Sequence, residues 1–308
     1  MSLKRKLYRL KFVLSDIRFL PFYVQRQFTH PKVRAVISSF VAKLRPTALY
    51  LTNRDDVQKK LTELNDVGLT HLGRMLTSEQ CIELRDYFSG KLVTDIYRSE
   101  HTLPFLPGSD ERHPEAHIAH HNALDIVNAP YLLELANNPH ILDIAAAFLG
   151  CKPTLTYLAA WWSYHTEIGM QHAERFHRDV DDWRFLKLFI YLTDVDDKNG
   201  PHIYVAHSSA SEKLTKLRRF EDDEVVSAFG KNNVLQLTGL AGEGFFENTY
   251  GIHKGQPVKE GRRLIFQAVY SILPLPYGPK LPVVKLSELT KVRSFTPDLW
   301  INRVYIAP

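Results

Sequence analysis

The sequence predicts a mainly β domain with bracing helices, a closed sandwich or jelly roll, and three observations lead there. First, the second half of the 308-residue chain breaks into short aromatic and β-branched runs: TLTYLAAWWSYH, FLKLFIYLTDV, HIYVAHS, NVLQLTG, GFFENTY and RRLIFQAVYSI. Second, turn-forming stretches, DDKNGP and GLAGEG, stand between them, as strand boundaries require. Third, helical patterns precede the strands and are placed to brace one face, as in a closed β architecture.

The elements follow in chain order. Leu3, Leu7, Leu10, Leu14 and Ile17 recur at steps of three and four and predict a helix with one apolar stripe. Pro21 is expected to end or bend it. Val33 to Leu44 repeats the theme with Val36, Ile37, Phe40, Val41 and Leu44. Residues 1–45 hold 11 Lys and Arg against one acid, Asp16, while the whole chain holds 39 against 34 and carries +5. The remainder is thus mildly acidic. Two readings of this basic amphipathic arm stand. It can lie on an anionic membrane surface, or it can pack its stripe on the body and leave its charges in water, the common case for charged faces.

From Val57, the run LTELNDVGLTHLGRMLTSEQCIELRDYFSGKL reads as a helix, a short strand over Gly68 to Leu72, and a second helix capped by Thr77 or Ser78. A loop over residues 101–123 carries His101, His113, His117, His120 and His121. It has no cysteine and no regular spacing, so it reads as a substrate-facing loop rather than a metal site. Tyr131 to Leu149 predicts one helix, stopped by Gly150. The last residues, LWINRVYIA, are expected to dock on the body. The chain therefore divides into an arm (1–56), a β domain (57–275) and a packed tail (276–308).

The bulk composition, 44% apolar and 24% charged, is that of a soluble globular protein. Two cysteines, Cys81 and Cys151, offer no disulfide framework, and no signal peptide is recognised. A cytoplasmic protein is expected, peripheral to the membrane if the arm is a tether. No run approaches the roughly 20 apolar residues of a membrane span.

The chemistry centres on His177-Arg178-Asp179. On an extended segment, a His and an Asp at i and i+2 point to the same face. Such a pair needs one more His to make the two-His, one-carboxylate facial triad of non-haem Fe(II) oxygenases. The candidate is His253, in GIHKGQPVKEGRRLIFQAVY. Similar spacings at His165-Thr166-Glu167 and His172-Ala173-Glu174 lack the strand that follows His177. Trp161, Trp162 and Trp183 read as core or rim aromatics, and Asp194, Asp196 and Asp197 as a solvated turn.

These residues resemble the phytanoyl-CoA dioxygenase-like branch of the Fe(II)/2-oxoglutarate-dependent oxygenases. The likeness runs from LNDVGLTHLGRMLTSEQCIELRDYF through HRD and YLTDVDDKNGP to GIHKG and GRRLIFQ, over roughly residues 60–275. It implies a double-stranded β-helix of the jelly-roll, cupin-like kind, with Fe(2+) held by His177, Asp179 and His253. It also implies 2-oxoglutarate as co-substrate, O2 as oxidant, and an Arg that binds the far carboxylate of 2-oxoglutarate. Arg263 is favoured through its RLIFQ context, with Arg262 the rival, since neighbours on a strand face opposite sides. VAHSS departs from the family pattern, with His207 where Pro or Gly is usual. Asp179 keeps the carboxylate that halogenating relatives lose, so hydroxylation of a small-molecule or lipid-like substrate is expected. A non-redox metal-binding barrel, a sensor or binding protein, is the alternative. Nucleic acid is not an expected partner, because the arm's aromatics (Tyr8, Phe12, Phe19, Phe22, Tyr23) fit an apolar stripe better than base stacking.

Overall fold

Two antiparallel sheets face each other across the site. A computed structural model of the chain describes residues 10–48, 54–98, 103–292 and 295–308. The strands of these two sheets are β1 (Leu69–Arg74), β2 (Ile118–His120), β3 (Thr154–Tyr164), β4 (Phe185–Tyr191), β5 (His202–Val205), β6 (Val234–Leu237), β7 (Glu243–Glu247), β8 (His253–Gly255) and β9 (Arg262–Ser271). The larger sheet runs β1-β7-β4-β9-β3-β2 and the smaller β6-β5-β8. Side chains from both line one cavity. This is a double-stranded β-helix.

Strand alternation decides what each sheet face does. On β4, Leu186, Leu188 and Ile190 pack outward into the main core, while Phe189 and Tyr191 belong to a second cluster inside the barrel. On β9, Leu264, Phe266 and Ala268 face the main core, while Arg263, Ile265 and Gln267 line the cavity. Both faces of these strands are buried, which explains why they read as continuous apolar runs. The main core is closed by helices, among them α4 (Ser78–Ser89) and α5 (Pro139–Leu149). Thr77 caps α4: its side chain accepts from Gln80 N, and Gln80 reaches back to Thr77 N, a capping box.

Two expectations about helices are corrected. Tyr131 to Leu149 is not one helix but two, Leu132–Ala136 and Pro139–Leu149. Asn138 caps the second through His140 N, and Pro139 stands at its first position, where a missing N–H costs nothing. Likewise the first break in the arm comes before Pro21. Residues 10–15 are helical, Asp16 accepts from Arg18 N at 2.9 Å, and Pro21 lies in the first turn of α1 (Phe19–Gln25). Leu3, Leu7 and His101 lie outside the described residues.

The arm packs, but most of its apolar stripe faces outward; only Ile37 and Val41 of the second stripe are half-buried, Val41 against the main core. In α2 (Pro31–Lys43) the buried residues are Pro31, Arg34, Ser38 and Ala42, while Val36, Phe40 and Leu44 are exposed. The reason is polar. Gln25 Nε2 and Arg26 Nη1 donate to Val180 O at 2.7 and 2.9 Å, and Arg34 donates to Asp182 O and Gln25 O. Tyr250 Oη donates to Thr29 O, and Arg34 stacks on the Tyr250 ring at 4.8 Å. Between α2 and β1 lies α3 (Arg54–Asp66), which packs on α5. The tail is tied in through Tyr305, whose hydroxyl accepts from Leu158 N at 2.6 Å. No helix among the described residues is long and apolar enough to cross a membrane.

Candidate metal centre

The segment that carries His177 and Asp179 is extended and crosses to the smaller sheet. His177 and His253 exchange backbone hydrogen bonds at 3.0 Å in both directions, and Asp179 N donates to Thr249 O at 2.9 Å. Alternation then sends His177 and Asp179 into the barrel and Arg178 away from it. Arg178 donates to the carbonyls of Tyr250, Leu214 and Lys213, which ties down the loop beyond β5.

Inside the barrel, His177 Nε2 lies 3.5 Å from Asp179 Oδ1, and His253 Nε2 lies 3.2 Å from Asp179 Oδ2. Two donor atoms bound at right angles to one metal, each about 2.1 Å away, sit about 3 Å apart, so these spacings fit a shared ion. Both imidazoles are oriented for the purpose. His177 Nδ1 faces Arg175 O at 2.9 Å and His253 Nδ1 faces Gly251 O at 3.0 Å. Each carbonyl draws the ring proton to Nδ1 and leaves the Nε2 lone pair free for a metal. Among the described residues these three form the only His/Cys/Asp/Glu group with converging donor atoms.

Gly251 is required for this geometry. A Cβ there would fall 2.1 Å from the Tyr204 hydroxyl, so the carbonyl that orients His253 approaches closely only because position 251 has no side chain.

The electrostatics of the three donors differ: burial works against the charged form of the His253 imidazole, but the Asp179 carboxylate beside it outweighs burial and raises it above its usual value. Burial and the neighbouring His253 push the His177 imidazole down to about 4, so it is neutral near pH 7. Burial opposes ionisation of Asp179, but the Lys187 ammonium and His253 outweigh it and hold the carboxyl well below its usual range. Lys187, from the apolar strand β4, lies 2.7 Å from Asp179 Oδ2 and 3.0 Å from Asp181 Oδ2. On the far side of His253, its ring stacks on that of His202 at 5.6 Å, and His202 Nε2 lies 2.7 Å from the fully buried Glu247 Oε2.

A cavity of about 210 Å³ opens beside the three residues. Trp161, Ser163, Phe189, Ile265 and Gln267 contribute walls, and Arg263 enters it. Arg263 is 5% exposed and donates to Ser163 Oγ at 3.0 Å, while its Nε and Nη1 have no partner. Arg262 points the other way, over the Trp162 ring at 4.4 Å, and donates to Pro107 O. The two arginines left open by the sequence are thus separated by strand alternation, with Arg263 in the cavity.

The other candidates bring no donor atom to this centre, although His117 and His120 contact Glu174 and Trp161 of the cavity wall. His165 pairs with Glu167 at 3.1 Å, and His172 stacks on Tyr97 at 4.0 Å. In the His-rich loop, His117 sits between Glu174 and Thr166, His120 stacks on Trp161, and His121 packs against Phe88. His207 adopts φ 61°, with its Nδ1 at 3.0 Å from Asp66 O, so the unusual residue in VAHSS fills a left-handed turn position that normally favours glycine. The sequence reading missed Lys187, Asp181, Glu247 and His202. Lys187 alone had a local signal, a cation in the middle of FLKLFIY.

No protein-family model matches the chain, and no curated protein matches it. Among solved structures it is similar to AviO1 from Streptomyces viridochromogenes Tue57, with 18% identity, a TM-score of 0.48, and coverage of 73% of this chain and 100% of the other. It is also similar to the non-haem α-ketoglutarate-dependent carbocyclase SnoK from nogalamycin biosynthesis, at 16% identity and TM-score 0.47, covering 73% and 86%. HygX from Streptomyces hygroscopicus, solved with nickel and 2-oxoglutarate, gives 13% identity and 0.48, covering 80% and 96%. Likenesses of this size assign neither a family nor an activity.

Proposed function

We propose that this chain is an Fe(II)/2-oxoglutarate-dependent dioxygenase of the phytanoyl-CoA dioxygenase-like type, hydroxylating a small-molecule or lipid-like substrate with release of succinate and CO2. One observation carries the reading. A His-Asp-His donor set with both Nε2 atoms turned toward the Asp179 carboxylate shares a cavity with an arginine whose Nε and Nη1 are buried and unpartnered. A buried guanidinium without an anion is costly, so its place in the cavity makes sense with an anionic ligand.

His177, Asp179 and His253 would hold the iron. Two neutral imidazoles and one carboxylate leave Fe(II) with a net positive charge and open positions, a set suited to oxygenases. When bound, iron and 2-oxoglutarate supply the oxidising chemistry that consumes O2 and turns a substrate C–H into C–OH. Arg263, steadied by Ser163 Oγ, binds the far carboxylate of the co-substrate through a planar, permanently charged fork. Lys187 pins the Asp179 carboxylate and offsets the buried charge of Asp181 beside it. Phe189, Ile265 and Trp161 keep water from the centre. The cavity of about 210 Å³ is smaller than the about 300–1,000 Å³ that encloses a drug-sized ligand. It suits a small dicarboxylate, and an organic substrate of any size lies at its mouth.

Anaerobic titration of Fe(II)-loaded protein with 2-oxoglutarate, followed by succinate release in air, tests the proposal. Saturable binding and succinate production are expected. Stoichiometric iron with no 2-oxoglutarate binding and no succinate would replace it with the non-redox metal-binding barrel.

A further inference from the structure

The outward side of the arm carries an arrangement the barrel does not use. Along α2 the line Val33, Val36, Phe40 and Leu44 is 41, 72, 65 and 66% exposed, while the line Pro31, Arg34, Ser38 and Ala42 is buried. Upstream, Leu10, Leu14 and Ile17 are 52, 79 and 69% exposed. Ten of the 24 exposed large apolar side chains among the described residues fall within residues 10–44. On α2 these side chains share one line of a helix, an interaction surface rather than the scatter of single apolar residues that any surface carries.

Charge indicates what covers it. The arm's arginines face the body: Arg18 donates to Pro279 O and to Asp16, Arg26 to Val180 O, and Arg34 to Asp182 O. Its described lysines face outward. Lys11, Lys32 and Lys43 are exposed, and so is Lys280, close enough to Asp16 to act on its charge. The nearby carboxylates are already engaged, Asp16 by Arg18 and Glu212 by Lys32. The result is exposed apolar lines with Lys11, Lys43 and Lys280 exposed in the same region and Lys32 paired to Glu212, the arm being held by bonds on its other side. A second copy meeting this face about a two-fold axis would set lysines against lysines. An anionic lipid surface meets both properties at once.

We propose that the exposed faces of residues 10–17 and of α2 dock this protein peripherally on an anionic membrane. The apolar side chains enter the boundary between headgroups and acyl chains, and the lysines meet the anionic headgroups. This inference does not rest on the catalytic reading.

Full-length protein is co-sedimented with vesicles of pure phosphatidylcholine and of phosphatidylcholine with phosphatidylserine, at low and high salt. Binding to the phosphatidylserine vesicles that weakens with salt is expected. A Val36→Asp/Phe40→Asp variant changes only exposed side chains. Its circular dichroism should match the parent while its partition coefficient falls by about tenfold or more. Lys11→Glu/Lys43→Glu should lower binding and flatten its salt dependence. Failure of the parent to bind at low salt overturns the proposal, as does undiminished binding by Val36→Asp/Phe40→Asp. Light scattering that finds a dimer dissolved by that variant, without vesicle binding, assigns the face to a second copy instead.

Discussion

Replacing Arg263 by Leu should move ligand affinity and protein stability in opposite directions. In the ligand-free chain this guanidinium is buried, Nη2 has one hydrogen bond to Ser163 Oγ, and Nε and Nη1 have none. Burial works against its charge. Replacing such a group by an apolar side chain of similar reach removes a desolvation cost, so urea unfolding should report stability unchanged or raised by about 1–3 kcal/mol. With 2-oxoglutarate present the same change removes one partner of a buried pair, at a cost of about 3–5 kcal/mol. That is a loss of about 10²- to 10⁴-fold in Kd, read by calorimetric titration of the anaerobic metal-loaded protein. Arg262→Ala is the control. It removes a stacking contact with Trp162 and a bond to Pro107 O, both away from the cavity, and should cost about 0.5–1 kcal/mol of stability while leaving the Kd unchanged. Equal, small effects of the two substitutions on the Kd would refute the assignment of Arg263 and the co-substrate with it.

Single Ala substitutions at His177, Asp179 and His253 should each abolish Fe(II) or Co(II) binding in metal analysis, whereas His165→Ala and His172→Ala should retain it; the reverse pattern would dismantle the triad. Lys187→Met leaves Asp179 and Asp181 without their shared cation, and the metal-free protein should lose about 3–5 kcal/mol in urea unfolding. Added Co(II) should restore more of that loss than it adds to the parent, because the ion supplies positive charge at Asp179. Burial raises the Asp182 carboxyl to about 6, so the folded state binds this proton more tightly than the unfolded state does. Its ionisation therefore costs stability as pH rises from about 4 to about 6, by about 3 kcal/mol in all. Asp182→Asn, which still accepts from Leu273 N, should remove that pH dependence and raise Tm at pH 8 more than at pH 4.

The parts of the centre that the sequence made legible are those written within a few consecutive residues. His177 and Asp179 share a face because an extended chain alternates, and the RR pair on β9 resolves by the same rule once the strand's inner face is known. Lys187 was legible in principle as a cation at an inward position, but its role depends on Asp179 and Asp181 lying across from it. The His202–Glu247 contact joins strands of different sheets and leaves no local trace. Two helix features were readable from short-range chemistry: Asn138-Pro139 marks a fresh helix start, and Asp222–Phe229, with its acidic first turn and Gly230 stop, forms a helix the strand pattern obscured. The arm is the instructive failure. Periodicity tells which residues share a face but not which face turns inward, and here carbonyls at 180 and 182 recruit Gln25, Arg26 and Arg34 ahead of the apolar stripe.

That clasp also sets the order in which the protein comes apart on heating. The arm is held by polar bonds and a few apolar contacts, Phe22 on Tyr277, Phe28 on Trp183 and Ala42 in the main core, and leaves much of its apolar surface in water, the mark of a segment that opens at low free energy. The carbonyl it holds at Val180 directly follows Asp179 in the chain. Peeling of the arm thus frees the backbone next to a metal donor while the barrel and its outer core remain packed. Thermal inactivation should therefore run ahead of global unfolding, with amide exchange quickening first in α1 and α2, then around residues 179–183, and only later in β4 and β9.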